Sequence, residues 1–280
     1  MQLLYGKPIA DEILGRLKND VSKSAKKPGL AVILVGNDEA SKIYVALKEK
    51  AAAEIGMNFF LHKVAENSLE KEVTDLIEKL NRDDSVHGII VQLPLPAGFD
   101  TEKIISSIDP QKDADGFSAQ GGATSDGHKF KLQPVFPQAI LRLIESSGEN
   151  LENKKGVVIA NSDEFGEAMT ALLSQKNILA EYILSDDFQS NLGKIREADI
   201  VVSAVGSPGL INGEMLKEGA TIIDGGISKI DSKVVGDVDF ASTKEKNGYL
   251  SPVPGGVGPL TIACLLENTY LAFKAQIKGK

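Results

Sequence analysis

"KKGVVIANSDEFGEA", residues 154–168, reads as a buried strand, a short loop and the first turn of a helix. The apolar run at 156–160 does not alternate, which suits a strand covered on both faces. A strand that feeds directly into a helix is the repeating step of a parallel α/β sheet. In a doubly wound nucleotide-binding fold this turn carries a glycine-rich fingerprint. Its glycines bring the backbone close to a pyrophosphate at the helix N-terminus. Here Gly166 is the one glycine that follows the strand, and the loop carries Asp163 and Glu164. The fold signal is strong and the phosphate signal is weak.

The same step repeats on either side. LAVILVG (30–36) is another continuous apolar run. SKIYVALKEKAAAEIGM (41–57) has helical period, with Gly56 as a C-terminal stop. NFFLHKV (58–64) reads as strand, SLEKEVTDLIEKLNRD (68–83) as helix and HGIIVQLPL (87–95) as strand. The polar, Gly-rich stretch 116–134 is then a domain junction or a loop beside a site. Beyond it the alternation restarts with a helix at 137–148. Strands follow at 156–160, 180–185, 199–206 and 220–226, and 233–240 is a candidate for one more. An amphipathic helix closes the chain at 261–280. The pattern predicts two α/β domains with a cleft between them. The first is 1–137 plus the C-terminal helix 262–280; the second, 138–261, is a Rossmann-like parallel sheet.

Composition narrows the class. The chain has 280 residues, 42% of them hydrophobic, enough for one large core or two smaller ones. Its net charge of -8 comes from interspersed charges of both signs, which argues against a nucleic-acid partner. One cysteine, Cys264, excludes a disulfide framework. His62, His87 and His128 lack metal-ligand spacing, so no metal site is expected. No apolar run reaches transmembrane length and the N-terminus lacks a signal-peptide pattern, so a cytoplasmic protein without a membrane partner is expected.

Four stretches carry chemistry. In SKIYVALK (41–48), Ser41, Tyr44 and Lys48 share one helical face. A partly buried lysine there suits acid/base work, since burial lowers its pKa; an amphipathic helix with a snorkelling lysine has the same spacing. VQLPLP (91–96) ends a buried strand at Gln92, where open α/β sheets bind ligands. A solvated amide at a strand terminus reads the same way. DPQKDADGF (109–117) sets Asp113 and Asp115 in a tight loop, either as turn residues or as a carboxylate offered to an amino-pyrimidine-like edge. SPVPGGVGPLT (251–261) is a rigid loop at a helix N-terminus, more than a connector requires.

In order and spacing, these motifs resemble those of the FolD family, the bifunctional methylenetetrahydrofolate dehydrogenase/cyclohydrolases. Residues 198–227 and GDVDF (236–240) look like that family's second domain. The resemblance covers nearly the whole chain. It implies that Lys48 is the central catalytic group, that Tyr44 lines the folate pocket, and that Gln92 holds and tunes the lysine. It implies that Asp115 binds the pterin's amino and ring nitrogens. Residues 252–259 would border folate and nicotinamide, with Pro252, Gly255 and Gly256 toward substrate and Gly258 toward cofactor, and Thr261 just beyond them would also bind cofactor. The implied partners are one-carbon tetrahydrofolate derivatives, and the implied assembly is a homodimer.

The nucleotide half departs from the family pattern. Where the family has Gly-Arg-Ser, this chain has Ala160, Asn161 and Ser162. The missing arginine is the family's main partner for the 2′-phosphate of NADP. The family's His-Ser-Lys-type segment aligns with Leu184, Ser185 and Asp186, and a threonine near the cofactor has become Phe136. Of the phosphate turn only Gly166 survives. The resemblance thus implies NADP, bound by Asn161, Ser162, Gly166, Ser185 and Asp186. Asp186 lies where such folds place the acidic residue that holds an NAD ribose, so NAD is the second expectation and loss of dinucleotide binding the third. The implied activity is oxidation of 5,10-methylenetetrahydrofolate and hydrolysis of the methenyl form. A cyclohydrolase-only enzyme and a catalytically silent binding subunit stand as alternatives.

Overall fold

The computed structural model describes residues 1–117, 122–123, 129–130, 132–231 and 233–278. In chain order its first half runs β1 (Gln2–Leu3), α1 (Gly6–Ser22), β2 (Gly29–Val35), α2 (Glu39–Ile55), β3 (Asn58–Val64), α3 (Glu70–Asn81), β4 (Gly88–Val91), α4 (Thr101–Ser106), β5 (Gly122–Ala123) and β6 (Lys129–Phe130). The second half runs α5 (Val135–Glu145), β7 (Lys155–Ala160), α6 (Asp163–Ser174), β8 (Leu179–Leu184), α7 (Leu192–Glu197), β9 (Ile200–Ala204), β10 (Thr221–Asp224), β11 (Ser228–Ile230), β12 (Lys233–Val235), β13 (Tyr249–Leu250) and α8 (Val257–Lys278). No helix among the described residues is long and apolar enough to cross a membrane.

The chain divides into two compact units, Asp11–Val135 with Ile262–Lys280, and Met1–Ala10 with Phe136–Thr261. The first is built on a parallel sheet in the order β3-β2-β4. Every residue of the central strand β2 is buried, as its unbroken apolar run requires, while the edge strand β3 is only half-covered. Helix α2 starts where the Asp38 side chain accepts a hydrogen bond from Ser41 N at 2.7 Å. It stops at Gly56, whose φ of 79° is the left-handed cap glycine adopts readily. Val73, Ile77 and Leu80 of α3 pack with Ile33, Ile89 and Ile104 in this unit's core. After β4, residues 112–114 return beside that strand, with Ile89 N donating to Lys112 O (2.7 Å) and Ala114 N to Ile89 O (3.3 Å).

The second unit holds a six-stranded parallel sheet in the order β1-β13-β10-β9-β7-β8. Its core gathers Val157, Ile159, Val201, Ile222 and Phe188 from strands and connections. Strand β7 lies between β8 and β9, so the direction of winding reverses there; ligands of open α/β sheets bind outside the strand C-termini at such a point.

Three features differ from the sequence expectation. Residues 1–10 belong with 136–261, because Gln2 and Leu3 pair with Tyr249 and Leu250 and extend the larger sheet. Two-residue strands are fixed by their partners and leave no period in sequence. The 233–240 segment does not join that sheet; its β12 pairs antiparallel with β11 in a separate hairpin. Helix α5 begins at Val135, ahead of Pro137, which fits because proline is tolerated in the first turn of a helix.

Candidate active site

Lys48, Gln92 and Asp115 meet at the C-terminal ends of β2 and β4. Lys48 is half-buried on α2, and its Nζ donates to Gln92 Oε1 at 2.8 Å. Gln92 directly follows β4 and is anchored twice: its backbone N donates to Ile33 O (2.8 Å) and its Nε2 to Leu93 O (2.7 Å). The amide thus presents its oxygen to the lysine and can receive only a donor there. Burial pushes the Lys48 ammonium down, and the nearby Asp115 carboxylate pulls it part of the way back.

Asp115 is half-buried by exposed surface, yet its carboxyl faces enough protein that burial pushes it up to about 6. Lys48 draws it down and Asp113 adds a smaller push upward. Asp113 itself is buried, with its Oδ1 accepting from Gly116 N at 3.1 Å, the geometry of a turn residue. Tyr44 lies one turn before Lys48 on α2 and is exposed, beside the exposed apolar side chains of Ile43 and Leu47. An apolar face flanking a lysine–carboxylate pair suits a flat, partly charged ligand. The sequence reading missed Ile43 and Leu47, although both stand in the SKIYVALK motif. Much of the stretch 116–134, expected as a junction or site loop, lies outside the described residues.

The Pro/Gly loop belongs to the second unit. Gly255 has φ of 111°, and its carbonyl accepts from Gly6 N at 2.9 Å. A Cβ on Gly256 would stand 2.8 Å from Pro252 O and from Ser251 Cβ. Backbone conformation therefore accounts for Gly255 and packing for Gly256. At Gly258 a Cβ would meet nothing within 4 Å, so packing does not explain that glycine. Thr261, one turn on, donates its hydroxyl to Gly258 O (2.8 Å).

Around β7 the candidate cofactor residues are held by the protein itself. Asn161 Nδ2 donates to Val205 O (2.8 Å), bridging the ends of β7 and β9. Ser162 is the N-cap of α6 and accepts from Phe165 N (3.4 Å); its hydroxyl also lowers the pKa of Glu164. At Gly166 a Cβ would stand 2.4 Å from Tyr182 Cδ2, so this glycine makes room for a ring. The tyrosine hydroxyl in turn bonds Asp163 Oδ1 at 2.9 Å. Ser185 and the exposed Asp186 open a short 3-10 turn after β8. Phe136 packs on Phe165 with ring centroids 5.4 Å apart, and its Cζ would lie 2.9 Å from a Cβ on Gly225.

A helix N-terminus and an apolar aromatic wall at a switch point suit a dinucleotide's pyrophosphate and ring. None of Asn161, Ser162, Ser185 and Asp186 supplies the positive charge a 2′-phosphate calls for.

Two buried aspartates that the sequence reading passed over brace the same strand ends. Asp237 accepts from Ser203 Oγ (2.7 Å), Val205 N (2.9 Å) and Ser207 N (2.7 Å). Asp224 accepts from Gly226 N (3.0 Å), Asp237 N (2.9 Å) and Val238 N (2.9 Å), and burial pushes it up to about 6 despite those donors. A Cβ on Gly226 or Gly236 would land 2.1 Å from one of these carboxylates.

Comparison with known proteins agrees with this layout. Residues 4–115 match the family model "Tetrahydrofolate dehydrogenase/cyclohydrolase, catalytic domain" and residues 134–277 match its "NAD(P)-binding domain". The bifunctional protein FolD of Halothermothrix orenii is 40% identical over 279 residues, covering 98% of each chain. The FolD structure from Campylobacter jejuni superposes with a TM-score of 0.90 at 37% identity, covering 99% of each chain. The Trypanosoma brucei dehydrogenase-cyclohydrolase, complexed with NADP and an inhibitor, gives 0.90 at 33% identity, covering 99% of this chain and 98% of its own.

Proposed function

This chain belongs to the tetrahydrofolate dehydrogenase/cyclohydrolase family, and from that premise we propose how its own residues perform the two reactions. The enzyme oxidises 5,10-methylenetetrahydrofolate to the methenyl form and hydrolyses that to 10-formyltetrahydrofolate. A bound nicotinamide supplies the hydride acceptor for the first step. The protein's task there is alignment, since no proton must be moved by a side chain.

The second step needs proton transfer. Water adds to the methenyl carbon, and the bond from that carbon to one folate nitrogen then breaks. Lys48, lowered by burial, takes one proton from the attacking water and returns it to the departing nitrogen, while the second water proton leaves to solvent as the formyl C=O forms. Gln92 Oε1 keeps the Lys48 nitrogen at one place through both transfers. Asp115 accepts hydrogen bonds from the pterin and keeps Lys48 from falling further in pKa. Tyr44 supplies a flat wall beside them. The 2.8 Å contact between Lys48 and Gln92 carries this reading. Lys48→Met should lower methenyltetrahydrofolate hydrolysis by roughly 10²-fold or more, the usual worth of general acid/base catalysis, while the circular dichroism of the fold is unchanged. Near-normal hydrolysis by that variant overturns the assignment.

We infer further that NAD is bound at least as well as NADP. The support is chemical: Asn161 spends its amide on Val205 O, Ser162 caps α6, and Asp186 adds a negative charge where a 2′-phosphate would need donors. Asp186 suits the hydroxyls of an unphosphorylated ribose.

A further inference from the structure

Asn268 sits in the middle of α8 with no solvent exposure. Its Nδ2 donates to two backbone carbonyls, Ala114 O and Gln133 O, each at 2.9 Å. Its Oδ1 is buried without a hydrogen-bond partner among the described residues. Two carbonyl acceptors on one side fix the orientation of the amide, because only the NH₂ group can face them. An unpaired buried oxygen costs stability, and an apolar side chain of similar shape would avoid that cost. The two bonds to Ala114 and Gln133 are what an apolar residue could not supply.

Those carbonyls lie on the two sides of a narrow neck. Ala114 immediately precedes Asp115, and Val135 N donates to Asp115 O at 3.0 Å. Gly116, at φ of 74°, comes so close to Gln133 that a Cβ would lie 2.6 Å from Gln133 O. The next residue of α8, Thr269, packs on Gly88, where a Cβ would meet Thr269 Oγ1 at 2.9 Å. Gly88 starts β4, the strand that Gln92 directly follows. The Asp115 carboxylate has no hydrogen bond to another described side chain. Its place is therefore set by its backbone, and its backbone is set at this neck.

We propose that Asn268 is a positioning residue for Asp115: by tying Ala114 O to Gln133 O it fixes the Asp115 carboxylate for binding the folate substrate. The inference rests on the reading of Asp115 as the substrate's carboxylate.

The test is a double-mutant cycle on the full-length enzyme, with kcat and KM for methenyltetrahydrofolate and the unfolding midpoint measured for each variant. Asn268→Leu removes both donors and the unpaired oxygen at similar volume. It should raise KM about tenfold, the combined worth of two ordinary hydrogen bonds, and change kcat much less. In an Asp115→Ala background it should add little, since the group it positions is already gone. A changed midpoint with unchanged KM, or KM effects that multiply, would show a structural role only and overturn the proposal. Asp115→Ala with normal KM would instead strike the reading of Asp115 itself. Should Asn268→Leu not fold, Asn268→Ser, which keeps one donor, goes through the same cycle. Its KM should rise by a smaller factor, again only when Asp115 is present; a rise independent of Asp115 overturns the proposal equally.

Discussion

Gly166 offers a sharp test of what the nucleotide half has become. A phosphate-turn glycine and a packing glycine predict different consequences for Gly166→Ala. The added Cβ would stand 2.4 Å from Tyr182 Cδ2, 2.5 Å from Cγ and 3.0 Å from Cε2. Carbon atoms prefer separations of about 3.5–4.0 Å, so the overlap exceeds an ångström. Cγ is at the stem of the ring, and the hydroxyl at the far end is tied to Asp163. The ring cannot escape by swinging its tip. Overpacking of this kind costs about 1–3 kcal/mol. Against it, alanine inside a helix is favoured over glycine by about 1 kcal/mol. Gly166→Ala should therefore be neutral to destabilising, by up to about 2 kcal/mol. With Tyr182→Ala already in place only the helix gain remains, and the same substitution should stabilise by about 1 kcal/mol. Urea unfolding of the four proteins reads this change of sign, which corresponds to a few degrees in Tm for a unit of this size. Dinucleotide titration runs alongside. If Gly166→Ala left stability unchanged in both backgrounds and weakened dinucleotide binding in both, the packing explanation would be refuted.

Two further outcomes follow from the charges. On the proposed role of Lys48 its neutral form accepts the proton, so kcat for hydrolysis should rise with pH through the Lys48 pKa. Asp115→Asn removes the charge that raises that pKa, so this limb should move to lower pH; a limb that stays or moves upward would contradict the coupling. Asn161→Arg with Asp186→Lys restores a charge-assisted hydrogen bond worth about 1.5–3 kcal/mol and should raise NADP affinity over NAD roughly tenfold or more. Tight NADP binding by the unaltered protein, with NAD much weaker, would show that the 2′-phosphate lies elsewhere.

The catalytic half was legible because its signals are local. Helical spacing put Tyr44 and Lys48 on one face, Asp38 and Gly56 cap that helix in the structure, and Gln92 directly follows a strand whose apolar run is unbroken. What stayed hidden depends on distant partners. The pairing of Gln2 with Tyr249 spans nearly the whole chain, and neither two-residue strand has a period to read. Asn268 meets Ala114 and Gln133 across more than a hundred residues, inside a helix whose pattern marks it only as one more interior position. Helix α1 (Gly6–Ser22) also escapes the sequence reading, which tests the N-terminus for a signal peptide and not for helical period.

The nucleotide half was legible in what it lacks and not in what replaced it. Read singly, Asn161, Phe136 and the lone Gly166 look like losses from a binding loop. In the structure each has a partner that explains it. Asn161 spans two strand ends through Val205, and Gly166 receives Tyr182. Phe136 occupies space that is open because residue 225 is a glycine, and it packs its ring on Phe165. Asp224 and Asp237 hold the adjoining loops through six hydrogen bonds, five of them from backbone N–H groups. Beside β7 this unit carries the Phe136–Phe165 pair and the exposed Asp163, Glu164 and Asp186, and none of Asn161, Ser162, Ser185 and Asp186 is cationic. The proposed preference for a dinucleotide without a 2′-phosphate rests on that composition.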